Sequence, residues 1–168
     1  GRAIVPALFD ALATEERMHV RRLLLRLLLG LGEHLAGEAV PRLRDRRWHV
    51  RRNTLYLLAE SGARIDPALL APLARDSDPR VRLECARCLL LAGEAAGVRT
   101  LHALLHDPAA GVADLAIATA GAMGVGELIP DLVALIAKPS GSDVPRQRLR
   151  VVRALGRLGG EPAAAALR

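Results

Sequence analysis

Two groups of residues in this chain could do chemistry. The first is Cys85, Cys88, His102 and His106, whose Cys-x2-Cys-x13-His-x3-His spacing is one with which thiolates and imidazoles hold a tetrahedral zinc ion. The second is a row of arginines, Arg146, Arg150, Arg153 and Arg157, spaced 4, 3 and 4 residues apart with no acid among them. Guanidinium groups gathered on one helical face form a donor surface for carboxylates or phosphates. Other reactive constellations are missing: there is no His-Glu-x-x-His, no Gly-x-Ser-x-Gly, no P-loop and no Gly-x-Gly-x-x-Gly opening from a strand. No enzyme activity and no cofactor is therefore expected.

The elements that must carry these residues follow from a repeat. Gly32, Gly62, Gly93, Gly124 and Gly159 each close an apolar run, 30, 31, 31 and 35 residues apart. Twelve residues before each glycine stand Val20, Val50, Val81, Val112 and Gln147, followed by Arg21, Arg51, Arg82, Ala113 and Arg148. Self-similarity at this period signals a solenoid, in which each unit buries its apolar face only against its neighbours. Only 2% of the residues are aromatic, and Leu, Ala and Arg dominate, all strong helix formers. The expected fold is all-α, a right-handed solenoid of stacked antiparallel helix pairs in a single domain, with units of about 1–32, 33–62, 63–93, 94–124 and 125–159. Residues 160–168 read as the start of a sixth unit, so the chain is expected to be a fragment of a larger protein.

In the third unit, Pro67 opens a first helix striped by Leu69, Leu70 and Leu73. Asp78 is a good N-cap and Pro79 a good first-turn residue for a second helix ending at Gly93. The fourth unit breaks at His106-Asp107-Pro108, and the fifth at the longer, mobile-looking stretch 138–143. This placement bears on the zinc spacing. A Cys2His2 motif holds its cysteines on a β-hairpin, whereas Cys85 and Cys88 fall inside a helix and read as small core residues. Both pairs share faces of successive helices, which leaves a helix-hairpin site geometrically open, but no metal is expected and His106 is placed at a helix end.

Reading positions 0, 4, 7 and 11 from the residue before each landmark samples the face opposite the buried one. The second helix of each solenoid pair is expected to line a concave surface with this stripe. It contains His49, Asn53, Tyr56 and Glu60 beside Trp48, then Arg80, Glu84, Arg87 and Leu91, then Gly111, Leu115, Ala118 and Ala122, then the arginine row. Like charges at i, i+4 repel, so something should offset that row. One reading is a site for an acidic or acidic and apolar protein segment. The plainer one is a solvated face, since 24 basic residues include only one lysine, Lys138, which points to an Arg-rich composition throughout.

The segment Asp-x-Asp-Pro-x-Val-Arg-x-x-Cys-Ala-x-x-Leu-x-x-x-Gly at residues 76–93 resembles the HEAT repeat, in the short bacterial variety also found in phycobilin lyases. The resemblance implies a ladder in which an acid of the intra-repeat turn pairs with an arginine six residues on: Glu15 with Arg21, Asp45 with Arg51 and Asp76 with Arg82. Asp107 faces Ala113 instead, which predicts a weakened rung or an acid free for another use. The iron-binding His-Glu dipeptides of the HEAT-like deoxyhypusine hydroxylase are absent, and Glu33-His34 is the reverse order. Phycobilin lyases are closer in repeat sequence, but nothing is diagnostic of a bilin site.

A net charge of +6 and a pI near 10.8 invite nucleic-acid backbone binding. Only Phe9, Trp48 and Tyr56 could stack on bases, which argues against it. The most apolar stretch, 23–31, is too short to span a bilayer and contains Arg26, so it reads as a buried helix rather than a membrane segment. Two cysteines without a further pair fit a cytoplasmic setting. The sequence thus predicts a cytoplasmic, non-catalytic scaffold binding an acidic partner segment, with nucleic-acid binding and bilin handling as alternatives.

Overall fold

The computed structural model describes residues 4–32, 34–137, 144–160 and 163–164. The break at 138–143, Glu33 and most of the anticipated sixth unit lie outside the described residues. Among the described residues there are ten α-helices and no strand: α1 (Ile4–Thr14), α2 (Met18–Leu29), α3 (His34–Arg42), α4 (Trp48–Glu60), α5 (Pro67–Leu70), α6 (Pro79–Leu91), α7 (Ala95–Leu105), α8 (Val112–Met123), α9 (Ile129–Ala137) and α10 (Val144–Leu158). The fold is all-α, in the helix-pair arrangement of a solenoid. Contacts divide the chain into two compact units, Gly1–Ala92 and Gly93–Arg168.

The landmark glycines end helices for one backbone reason. Gly32, Gly62, Gly93, Gly124 and Gly159 all have φ between +53° and +74°, the left-handed conformation that stops a helix and that a side chain makes costly. At the other end, Asp78 caps α6 by accepting the Arg80 N–H at 2.9 Å, with Pro79 in the first turn as its missing donor allows. In the first unit α1 packs on α2 and α3, α3 on α4, and α4 on both α2 and α6. In the second, α7 packs on α8, α9 on α10, and α8 on α10.

Two local expectations change. The first helix of the third repeat stops at Leu70 and resumes only as a 3-10 turn over Leu73–Arg75. Pro72 interrupts it, because proline removes the N–H and its ring opposes the carbonyl four residues back. The 23–31 run is also not buried throughout: Leu24 and Leu28 are inside, while Leu23 and Leu27 are about half exposed. Helical periodicity lets α2 bury only the stripe facing α1 and α4.

The acid-arginine ladder is present but wired differently from the expectation. Each acid first holds its own turn: Glu15 accepts the Arg17 N–H, Asp45 the Arg47 N–H, Asp76 the Asp78 N–H and Asp107 the Ala109 N–H, all at 2.8 or 2.9 Å. Asp107 is therefore not free. The arginine six residues on reaches the backbone rather than the carboxylate. Arg21 donates to Glu15 O at 3.2 Å, Arg51 to Asp45 O at 2.7 Å and Arg82 to Asp76 O at 2.7 Å. Arg148, in the same register, donates to Ile136 O at 3.2 Å. These groups satisfy carbonyls left over where the preceding helix ends. The carboxylates go elsewhere: Glu15 to Arg17 and Asp45 to Arg47, while Asp76 takes a bidentate bond from Arg51 of the preceding repeat at 2.7 and 2.8 Å. The charged rung thus links repeats instead of closing within one.

The hydrogen bonds from Arg17 and Arg47 hold the Glu15 and Asp45 carboxyls well below their ordinary values, to about 2 in each case. Burial pushes Asp76 upward, but the Arg51 hydrogen bonds and the Asp78 N–H overcome it and leave the group below its usual value.

These contacts and the packing of the helices set several expected outcomes. Arg51→Ala strips the Asp45 and Arg46 carbonyls of their donor and leaves Asp76, only 7% exposed, without its partner; it should lower unfolding free energy by about 2–4 kcal/mol in urea titration. Arg17→Ala, at a guanidinium that is largely exposed, should cost far less than Arg51→Ala. A Cβ on Gly121 of α8 would stand 2.7 Å from the Ala154 Cα of α10, so Gly121→Ala should destabilise by about 1–3 kcal/mol. Gly37 in α3 has open space around it, and Gly37→Ala should stabilise by about 0.5–1 kcal/mol. For pH the sign is set by depressed carboxyl values: the unfolded chain binds more protons below about pH 4, so stability is full above that point and is lost as pH falls toward 2. Thermal melts of the native chain should follow this course, and Asp45→Asn should flatten part of it.

Candidate functional site

In the first unit, the stripe residues neutralise one another. Glu84, buried on α6, meets Arg52 of α4 at 2.8 Å and Arg87 of its own helix at 2.8 Å. Arg87 continues to Glu60 of α4 at 2.6 Å. Two arginines and two glutamates thus close a network across α4 and α6. Arg80 is occupied as well, paired with Asp78 at 2.8 Å and lying over the Trp48 ring at 3.4 Å from its centroid. Arg80 and Arg87, expected to receive an acidic partner, thus already hold carboxylates of this unit. Trp48 lines a shallow cleft of about 520 Å3 with Arg46, His49 and Asp78, and a second, more apolar hollow of about 560 Å3 lies between Leu58, Ile65, Pro67 and Leu91.

The three aromatic rings share a fate that their sequence positions do not announce. Each carries an arginine over it: Arg42 on Phe9 at 4.5 Å, Arg80 on Trp48 and Arg52 on Tyr56 at 5.5 Å. Guanidinium stacking on an aromatic face is favourable and occupies the surface a base would use. Trp48 and Tyr56 are half-buried rather than presented.

In the second unit the arrangement differs. Gln147, Val151, Ala154 and Leu155 form the buried face of α10, and Arg146, Arg150, Arg153 and Arg157 are all exposed along one flank. The helix carries five arginines and no acid. Arg150 forms an ion pair with Asp114 of α8, which offsets part of the repulsion in the row. Among the described residues, Arg153 and Arg157 have no partner. Beside them on α8, Leu115 is 48% exposed, and Ala118 and Ala122 are exposed too. The Gly121–Ala154 approach brings α8 and α10 together, so the apolar strip and the arginine row are neighbours.

Asp114 was missed from sequence, although a register rule finds it. The second residue after one landmark pairs with the third residue after the next: Arg52 with Glu84 in the first unit, and Asp114 with Arg150 in the second, with the charges exchanged.

The cysteines and the histidines of the Cys2His2 spacing fall in different compact units, the cysteines in the first and the histidines in the second. Cys85 and Cys88 are buried, and their thiols donate to Leu70 O and Leu55 O, each at 3.3 Å. Burial pushes both thiols up to about 12, far from the thiolate form a metal needs. His102 and His106 stand exposed on α7 and at its C-cap, with the His102 Nε2 atom 3.2 Å from Asp131 of α9.

No helix among the described residues is long and apolar enough to cross a membrane. No curated protein sequence matches the chain. Residues 67–147 match the family model described as HEAT repeats, which supports a HEAT-repeat protein with the stacked helix pairs seen in both units.

Proposed function

We propose that the chain is a non-catalytic protein-interaction scaffold whose second unit binds an acidic, partly apolar partner segment across the α8/α10 face. HEAT repeats generally mediate protein–protein interaction. The observation that carries this reading is the pair of cations Arg153 and Arg157, unpartnered among the described residues, flanking the exposed strip of Leu115, Ala118 and Ala122. Carboxylates would meet the arginines bidentately while an apolar side chain covers Leu115. Arg146 and Arg150, the latter paired with Asp114, lie on the same exposed flank of α10. A cytoplasmic setting suits the two buried thiols.

Nucleic-acid backbone binding remains the alternative that net charge favours. The covered aromatic rings count against stacking on single strands. A bilin-handling role has no residue in its favour beyond the same arginines.

A fluorescent peptide alternating glutamate with leucine should bind the native chain, and a lysine–leucine counterpart should not. Arg153→Glu with Arg157→Glu should weaken that binding at least tenfold with helicity unchanged, whereas Asp114→Ala, which releases Arg150, should tighten it. Unchanged affinity in the double variant would refute the site. Tighter binding to random duplex DNA with a steep salt dependence would transfer the function to nucleic acid.

A further inference from the structure

The histidine pair of α7 has an acidic neighbour within its own unit. His102 and His106 are one helical turn apart, the i, i+4 spacing that puts two imidazoles on one face and serves as a metal chelate on helices. Asp131, in the first turn of α9, turns its carboxylate toward them. One donor atom from each of the three residues lies within 4.8 Å of the other two. We propose that His102, His106 and Asp131 form a binding site for a divalent transition-metal ion of the zinc class, clamping α7 to α9 in the second unit.

Geometry and charge both support this. Zinc bonds of about 2.0–2.2 Å at tetrahedral angles place ligand atoms about 3.3–3.5 Å apart. The His102 Nε2 to Asp131 Oδ1 distance of 3.2 Å is already near that value. His106 closes the remaining gap by rotating about its own side-chain bonds, since it is exposed and caps α7 rather than sitting inside it. The two rings stand edge to face at 5.2 Å between centroids, so neither blocks the other. Both histidines sit at the C-terminal end of α7, where the helix dipole favours a cation, and Asp131 supplies a full negative charge. Among the described residues the Asp131 carboxylate has no partner except His102.

The ligand set selects the metal class. Two imidazoles and one carboxylate suit zinc, nickel, cobalt or copper, whereas magnesium and calcium prefer all-oxygen shells. Three protein ligands leave one position open to water or to a donor from a bound partner. The site stands apart from the arginine row: it uses α7 and α9, and none of its ligands lies on α8 or α10.

The test is calorimetric titration of tag-free chain with Zn2+, and separately with Mg2+. The expected result is one Zn2+ per chain with a micromolar dissociation constant, no Mg2+ binding, and an upward shift of the melting temperature in Zn2+. His102→Ala, His106→Ala and Asp131→Asn should each weaken binding at least tenfold with the helical circular dichroism unchanged, since both histidines are exposed and Asp131→Asn keeps the shape of a half-buried side chain. His34→Ala, an exposed histidine outside the cluster, should bind as the native chain does. Zn2+ binding that survives in the His102→Ala/His106→Ala double variant, or a native stoichiometry near zero, would overturn the proposal.

Discussion

Where the two helices of a repeat meet, the last carbonyls of the first and the first amides of the second lie within a few residues, and neither set has a partner inside its own helix. The structure depends on satisfying both at once. An acid at Glu15, Asp45, Asp76 and Asp107 takes an amide two residues on, and an arginine at Arg21, Arg51 and Arg82 takes carbonyls. Arg148 does the second job without a described acid in its turn. Because one guanidinium has five donors in a rigid fork, Arg51 can satisfy backbone carbonyls and still reach the Asp76 carboxylate. The same residue thereby closes one turn and joins it to the next repeat.

The same economy decides which surfaces remain available. In the first unit the acids and bases of α4 and α6 are matched, so Arg52, Glu84, Arg87 and Glu60 consume one another. In the second unit the matching charge on α8 is the single Asp114, and it pairs with Arg150 of the row. An exposed pair of this kind contributes little to stability. Its consequence is that, among the described residues, Arg153 and Arg157 keep an uncompensated charge next to apolar surface.

Much of the architecture is legible without coordinates, because helix termination and periodicity are local. The five glycine positions announced the left-handed residues, and Asp78-Pro79 announced the start of α6. The interruption at Pro72 was equally written in the chain, since a proline cannot continue an α-helix through its own missing donor. The arginine row was recognised as one helical face, and all four members are exposed on it. Charge partners were less legible: spacing of six residues placed Asp45 near Arg51 but could not say that the carboxylate faces Arg47 while the carbonyl faces Arg51.

The sequence by itself determined the helices, their stops and the repeat, because each rests on residues within a turn or two of one another. Only the tertiary structure decided which charges are spent and which are free. Asp76 pairs with Arg51 across 25 residues, Asp114 with Arg150 across the α8–α10 packing, and Asp131 meets His102 across α7 and α9. A side chain's partner is whatever stands within about 3 Å of its tip, and between repeats that neighbour is chosen by how the helices pack, a quantity no local spacing contains.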